Sequence, residues 1–414
     1  MLMNNCFHFY ARLRRALTLK GAIILKTNVK RRPFGKNGIE VSEVSLGAMN
    51  LRMLKDVDLA RKVVNDVLDQ GINCIDTARG YNSDAGSVPM IESEVIVGEI
   101  LSARADIDEP IVVITKGHGY TPESFLQHLD ESTQRLQVKQ RDGKLYIGRT
   151  EIKLCYLLHG IKSDRWGVIS TSGVLDYAKK LQAEGRFNFF GFSSHYGDAD
   201  VIKTAIESGK FNMCEMPCNV YNTALAGGGA VDLFKLAYDH GMGVVNMKAY
   251  NGNGSVAIFK QLKDLTGIGY VEMTRFCLSN PYISTIDAGV RSIQEFLENA
   301  KASGMPALTE AERAEIRDRA SRVAPHLNKV CRECMHCLEK FECPQGVNFP
   351  QMLGVHGRYL VSKSLGFDTS AYKAEYAEAA GENNACERCG QCLPWCEYHL
   401  DIPELLAQAS ADLA

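Results

Sequence analysis

The chain has no uninterrupted apolar run near the ~18 residues needed to cross a bilayer, so it carries no signal for a membrane span. Nothing at its start resembles a signal peptide, which argues against an oxidising destination and for the cytoplasm. Net charge is nearly absent, a formal −2 over 414 residues. That removes the general electrostatic reason to expect nucleic acid or an acidic membrane as partner. Acidic residues are missing altogether from positions 1–32, where Lys, Arg and a few aromatics gather. The composition fits a transit peptide or an interfacial helix, but reads better as a disordered leader or an over-early start, because ordered patterning begins only near Arg32. The remainder, 45% apolar and 23% charged overall, is ordinary for a globular protein with room for one large domain and a small one.

What the chain does have is cysteine in two short runs. Cys331, Cys334, Cys337 and Cys343 read C-x2-C-x2-C-x5-C-P, and Cys386, Cys389, Cys392 and Cys396 read C-x2-C-x2-C-x3-C. Three thiolates at i, i+3 and i+6 wrap one cuboidal iron–sulfur cluster, and the distant fourth cysteine commonly ligates the other cluster of a pair. The spacing therefore predicts two 4Fe–4S sites with crossed ligands: Cys331, Cys334, Cys337 and Cys396 on one, Cys386, Cys389, Cys392 and Cys343 on the other. Zinc also uses C-x2-C pairs, but a third cysteine after two further residues, repeated twice, is unusual for it. Disulfides need an oxidising compartment. The other six cysteines (Cys6, Cys74, Cys155, Cys214, Cys218 and Cys277) are scattered, as buried reduced thiols would be.

From Val41 onward short apolar runs alternate with longer amphipathic ones. Strand candidates are Val41–Ala48, Ile72–Asp76, Ile111–Lys116, Ile152–Leu158, Phe189–Ser193, Met213–Asn219, Gly243–Met247 and Ile283–Asp287. Helical patterns fill the intervals: Val57–Gln70, Ile91–Ala103, Pro122–Leu136, Gly173–Glu184, Asp198–Ser208, Ala230–Asp239 and Ile268–Leu278, with Ser292–Ala302 after the last strand. Eight strands each followed by a helix predict an α/β fold, a (β/α)8 TIM barrel. Gly185, Gly209, Gly241 and Gly304 stand where left-handed helix caps would. The polar stretch Lys139–Thr150, with Asp142-Gly143 as its turn, reads as an inserted surface hairpin. Leu308–Val323 reads as a linker helix with Thr309 and Glu312 as a capping box. Met352–Leu365 and Tyr372–Ala380 read as helices between the cysteine runs, so the last domain is expected to be a small α-helical ferredoxin-like module.

Barrel enzymes place their chemistry at the C-terminal ends of strands. Asp76 ends the second strand, Lys116 the third, His159 directly follows the fourth, and Tyr81 lies in the loop five residues past Asp76. One charged residue capping an apolar strand is usually a structural ion pair; four polar groups converging on one rim suggest a proton-donor site. Asp76 would hold Lys116 against Tyr81, the ammonium would lower the phenol's pKa, and His159 would orient a substrate carbonyl. Such a site protonates an alkoxide as hydride reaches carbon.

Residues 31–302 resemble the aldo/keto reductase family, and 31–410 resemble its ferredoxin-fused branch. The resemblance is carried by RRPFGKNGIEVSEVSLGAMNL, GINCIDTARGY with ESEVIVGEIL, VVITKG, LLHG, GRFNFFGFSSH and the stretch ending GVRSIQEFLENA. With the composition and patterning above, the expected division is a leader over 1–30, a barrel over 31–304, a linker over 305–329 and a cluster domain over 330–410. The resemblance carries the family's Asp–Tyr–Lys–His tetrad onto Asp76, Tyr81, Lys116 and His159. It also implies NAD(P)H bound without a Rossmann fingerprint: Gly47 and Ala48 near the cofactor, Ser193 and Ser194 on the carboxamide, Glu215 where the family usually has glutamine, Met247 against the nicotinamide and Lys248 on the pyrophosphate. Gly289, Arg291 and Ser292 would hold the adenosine phosphates, with Glu298 and Asn299 near the adenine. Glu295 replaces an arginine that often clamps the 2′-phosphate, which tilts the expectation toward NAD; an i, i+4 helix pair of Arg291 with Glu295 is the plain alternative.

The leading expectation is thus an NAD(P)-dependent oxidoreductase acting on a small carbonyl or alcohol and carrying two clusters. Hydride moves two electrons and each cluster passes one, with no flavin signal to divide the pair, so the clusters would serve an external redox partner or act as a folding staple. An electron-transfer or docking protein with a silent barrel is the reading from another class. Three loops, Asn82–Pro89, Gly117–Tyr120 and Tyr250–Ser255, are expected to shape the substrate pocket.

Overall fold

The computed structural model of the chain describes residues 29–83, 90–195, 198–250, 262–327, 330–331, 333, 337–338, 341–364, 366–381, 386–396 and 398–414. The basic leader, Cys6, Cys334 and most of the loops expected at 82–89 and 250–255 lie outside the described residues.

Two short antiparallel strands come first, β1 (Arg31–Pro33) and β2 (Glu40–Ser42). The sequence suggested one strand over Val41–Ala48, but the chain divides at Glu43. Its carboxylate turns in to accept from Arg32 Nε (2.8 Å) and the Gly304 amide (2.9 Å), ending one ladder and starting the next. Then follow β3 (Val44–Gly47), β4 (Cys74–Asp76), β5 (Ile111–Gly117), the hairpin β6 (Val138–Arg141) and β7 (Lys144–Ile147), β8 (Thr150–Leu158), β9 (Phe189–Ser193), β10 (Met213–Pro217), β11 (Gly243–Met247) and β12 (Thr285–Gly289). Parallel pairing runs β3–β4–β5–β8–β9–β10–β11–β12 and returns to β3, closing an eight-stranded (β/α)8 barrel. The hairpin turns on Asp142 and Gly143, both at positive φ (48° and 73°), the geometry that an Asp-Gly pair favours.

Helices cover the outside because their apolar residues recur at helical spacing. In Val57–Leu68 the buried face is Ala60, Val63, Val64, Val67 and Leu68, and Asp56 caps the first turn by accepting from the Leu59 amide at 3.0 Å. Gly185, Gly209, Gly241 and Gly304 all adopt positive φ at helix ends. Helix Ser163–Thr171 was not foreseen; it carries Gly167 at its centre and buries only Ile169.

The barrel interior is graded. Phe34, fully buried, plugs the N-terminal end with Val41, worth roughly 1.5–3 kcal/mol for such a side chain. Above lie Cys74, Val112, Ile114, Cys155, Leu157, Met213 and Val245. At the C-terminal end the lining turns charged.

After the barrel, helix Glu310–Ser321 opens with the reciprocal Thr309–Glu312 box foreseen from sequence. Its Ile316 and Ala320, then Val323, Leu327, Val330 and Val361, belong to the same apolar cluster as the barrel's outer core. Helices Phe349–Ser364, Tyr372–Ala380 and Ile402–Leu413 enclose a second core with Val347, Phe349, Met352, Tyr376 and Leu406. Among the described residues no helix is long and apolar enough to cross a membrane.

Candidate active site

The four side chains singled out in the sequence meet at the C-terminal mouth of the barrel. Parallel register sets Asp76 beside Ile114 and Lys116 beside Leu157, so both charged groups point inward on adjacent strands. Lys116 Nζ donates to Asp76 Oδ2 and lies 5.3 Å from the Tyr81 ring centre. The His159 ring stands edge-on to that of Tyr81, centroids 6.0 Å apart. Tyr81 is nearly buried, its backbone amide donating to the Ala78 carbonyl.

Two further carboxyls share this space. Glu215 Oε2, inside β10, accepts from Lys116 Nζ at 2.7 Å, and both side chains are at most 2% exposed. Asp287, inside β12, completes a triad with Asp76 and Glu215 whose oxygens lie within 4.8 Å of one another. Room for it comes from Gly47: a Cβ there would stand 2.4 Å from Asp287 Oδ1. Asp76 Oδ1 and Asp287 Oδ1 make no hydrogen bond among the described residues.

This crowding changes the electrostatics expected from sequence. Burial, then the carboxylate neighbours, hold the Tyr81 phenol well above its ordinary pKa, although Lys116 pulls the other way. Burial opposes the Lys116 charge, yet Asp76 and Glu215 outweigh it and keep the ammonium well above the usual lysine range. Burial and Glu215 push Asp76 well above the carboxylate range and carry Asp287 up to about 7. Lys116 thus acts on the phenol in the expected direction, but burial outweighs it and the net pKa lies above the ordinary value rather than below it. Tyr81 stays protonated.

His118 was not singled out. Its ring stacks on His159 at 4.4 Å, 9° from parallel, and its Nδ1 lies 3.0 Å from both Tyr120 Oη and the His159 carbonyl. It fixes the face that His159 presents to Tyr81.

The residues expected around the cofactor divide into two groups. Ser193 Oγ accepts from the Gly160 amide at 2.9 Å, leaving its own proton to donate; Ser194 Oγ donates to the Ile161 carbonyl at 2.6 Å, leaving lone pairs to accept. One donor beside one acceptor fits a carboxamide. Met247 is buried at the end of β11. Glu215, assigned to the carboxamide by resemblance, is instead bound to Lys116. Ala48 is buried just past Gly47 at the end of β3, and Gly289 ends β12 packed on Asn50. Ser292 caps helix Ile293–Ala300, whose free N–H groups suit a phosphate; Glu298 and the buried Asn299 lie on it. Arg291 pairs with Glu295 at 3.1 Å, the plain helix pair. Lys248 Nζ donates to Tyr398 Oη, from the C-terminal segment, at 2.9 Å.

Cys343, Cys386, Cys389 and Cys392 line one cavity of about 90 Å3, walled by Val347, Phe349, Ile402 and Leu406. Cys331 Sγ and Cys386 Sγ each accept from the amide two residues on, Glu333 and Arg388, at 3.4 Å, and both of these residues have positive φ (49° and 56°). Two runs far apart in sequence thus make the same sulfur-accepting turn. Cys331, Cys337 and Cys396 pack around the same small core.

The description of the aldo/keto reductase family matches residues 43–264, and the chain belongs to that family. It is 36% identical over 118 residues to the 6-dehydroglucose reductase of Novosphingobium aromaticivorans, a match covering 26% of this chain and 38% of that protein. It is 24% identical over 228 residues to an uncharacterized oxidoreductase of Bacillus subtilis, YrpG, covering 51% of this chain and 63% of that one. The chain thus spans less than two-thirds of the length of either curated relative. The holo form of an aldo-keto reductase from Bacillus halodurans superimposes with a TM-score of 0.54 at 23% identity, covering 70% of this chain and 96% of that one. At that identity the likeness concerns the fold. Family and fold agree on a barrel of the aldo/keto reductase type.

Proposed function

We propose that this chain is a nicotinamide-dependent carbonyl reductase, equally an alcohol dehydrogenase in reverse, with Tyr81 as the proton donor. The observation that carries the reading is the convergence of Tyr81, Lys116, Asp76 and His159 at the barrel mouth. A reduced nicotinamide, when bound, supplies hydride to the substrate carbon. Ser193 and Ser194 suit its carboxamide, and the start of helix Ile293–Ala300 suits its phosphates. Tyr81 gives its proton to the forming alkoxide, a far stronger base than a phenolate, so a raised phenol pKa does not stop the transfer. Lys116, 5.3 Å from the ring, faces the phenolate that results. His159, held by His118, orients the carbonyl oxygen. The Arg291–Glu295 pair leaves a 2′-phosphate without a free clamp, which favours NAD over NADP. The name of the Novosphingobium aromaticivorans relative supports reduction as the direction.

The C-terminal segment is read as a dicluster module of the ferredoxin-fused branch. Cys343 sharing a cavity with Cys386, Cys389 and Cys392 supports the crossed ligand set, and the repeated sulfur-accepting turns suit thiolates. Clusters held there would supply one-electron chemistry or a structural tie.

Purified, iron-loaded protein mixed with NADH or NADPH and a panel of aldehydes tests the reading. Carbonyl-dependent loss of reduced cofactor is expected, and Tyr81→Phe should abolish it while cofactor binding persists. Wild-type rates in that variant refute the assignment of the acid. No turnover with any carbonyl returns the barrel to the electron-transfer or docking reading.

A further inference from the structure

The space in front of Tyr81 belongs to two parts of the chain. It is a cavity of about 730 Å3, the size of a small-molecule site. The barrel contributes Tyr81, His118, His159 and Arg165 to one side. Phe341, Cys343, Asn348, Trp395, Cys396 and His399, all beyond the barrel, form the other. A barrel reductase needs none of these to close its strands, so their position calls for its own explanation.

The wall is fixed in place. Val330 and Val361 continue the barrel's outer apolar cluster into the C-terminal segment. Tyr398, between Trp395 and His399, accepts from Lys248 Nζ at 2.9 Å while that ammonium lies 4.7 Å from its ring centre. Lys248 directly follows β11 and holds positive φ (59°), so the rim of the barrel itself grips the C-terminal segment at Tyr398.

The chemistry of the walls narrows what fits. Among the described residues, the two cations lining the cavity are both engaged. Arg165 Nη1 donates to the Gly160 carbonyl at 2.7 Å and to Tyr120 Oη at 3.0 Å; Lys162 pairs with Asp164 at 3.3 Å. A carboxylate or phosphate substrate would compete with those partners for both cations. What else faces the space is two carboxylates, Asp198 and Glu342, which disfavour an anion, and neutral hydrogen-bonding groups including Asn82, Asn348 and the histidines, together with the flat rings of Trp395 and Phe341. An indole face, with its negative quadrupole, takes the C–H face of a sugar ring while polar neighbours take its hydroxyls.

We propose that the C-terminal segment is the outer wall of the substrate site, and that Trp395 and His399 select a neutral polyhydroxylated carbonyl compound of sugar size. The choice of carbonyl rests on the reductase reading; the wall itself does not. Calorimetry on the iron-loaded protein tests it with 1,5-anhydroglucitol, a hexose ring without a carbonyl, against hexanoate. The sugar analogue should bind in preference to hexanoate. Trp395→Ala should weaken it about tenfold, Trp395→Phe by much less, and iron content should be unchanged in both. In turnover assays the same Trp395→Ala change should raise KM for hexoses more than it lowers kcat. The proposal is overturned by no sugar binding to the wild-type protein, by hexanoate binding as tightly, or by Trp395→Ala and His399→Ala leaving the sugar affinity intact. Binding that persists without turnover would strike the reductase reading alone, since calorimetry does not depend on catalysis.

Discussion

Replacing Glu215 by glutamine removes one negative charge from the barrel mouth at nearly constant shape. The carboxylate lies 2.7 Å from Lys116 Nζ, which lies 5.3 Å from the Tyr81 ring centre. Those contacts in series put the charge within about 8 Å of the phenol, where an effective dielectric near 20 gives roughly 2 kcal/mol of interaction with a phenolate. That corresponds to about 1.5 pKa units. The sign follows from the chemistry: reduction requires protonated Tyr81, so activity is present below the phenol's pKa and is lost as pH rises through it. Glu215 holds that pKa up. Glu215→Gln should therefore move the alkaline limb of kcat/KM for carbonyl reduction downward by about 1.5 units. A wild-type profile flat to the highest workable pH, with a variant that falls below it, is the same result. Thermal melting and cofactor titration should accompany the profile, because glutamine still accepts a hydrogen bond from Lys116. Superimposable profiles from a folded, cofactor-binding variant would refute the electrostatic account.

Two other perturbations probe separate parts of the molecule. Asp287, raised to about 7 in the fold, should bear charge at pH 8 and be neutral at pH 5. Its burial therefore weighs against the folded state increasingly as pH rises from the ordinary carboxylate range through 7, and Asp287→Asn should raise Tm more at pH 8 than at pH 5. An equal shift at both pH values would mean that the group does not titrate there. For the crossed ligand set, anaerobically prepared protein should hold about eight iron atoms, and Cys343→Ser should lose about half of them. Adding Cys386→Ser to that variant should cost little more iron, whereas adding Cys331→Ser should remove most of the remainder; the reverse pattern would assign each run its own cluster.

Most of the barrel is legible in the chain because parallel strands buried on both faces read as short apolar runs. The hairpin is equally plain, since Asp142-Gly143 demands its turn. Helix Ser163–Thr171 was hidden because Gly167 breaks its pattern and it buries a single residue. Asp76 and Lys116 stood out as charges ending apolar strands. Asp287 met the same criterion at the end of its predicted strand and was passed over, although it lies with Asp76 and Glu215. Glu215 took its expected role from resemblance, and only the barrel's closure reveals that Lys116 reaches it first. His118 and the Trp395–His399 wall depend on contacts across long stretches of chain, which no periodicity encodes.

The buried cysteines of the barrel domain have a practical consequence. Cys74, Cys155, Cys214, Cys218 and Cys277 are no more than 3% exposed, and burial drives the thiols of Cys74, Cys155 and Cys214 upward. Alkylating reagents act on accessible thiolates. Among the described residues, such a reagent offered to the native protein would find its targets only past residue 330, where Cys389 is exposed and Cys331, Cys343, Cys386 and Cys396 are partly so. The rate of covalent labelling thus becomes a clock for damage to the C-terminal thiol sites, readable by mass alone.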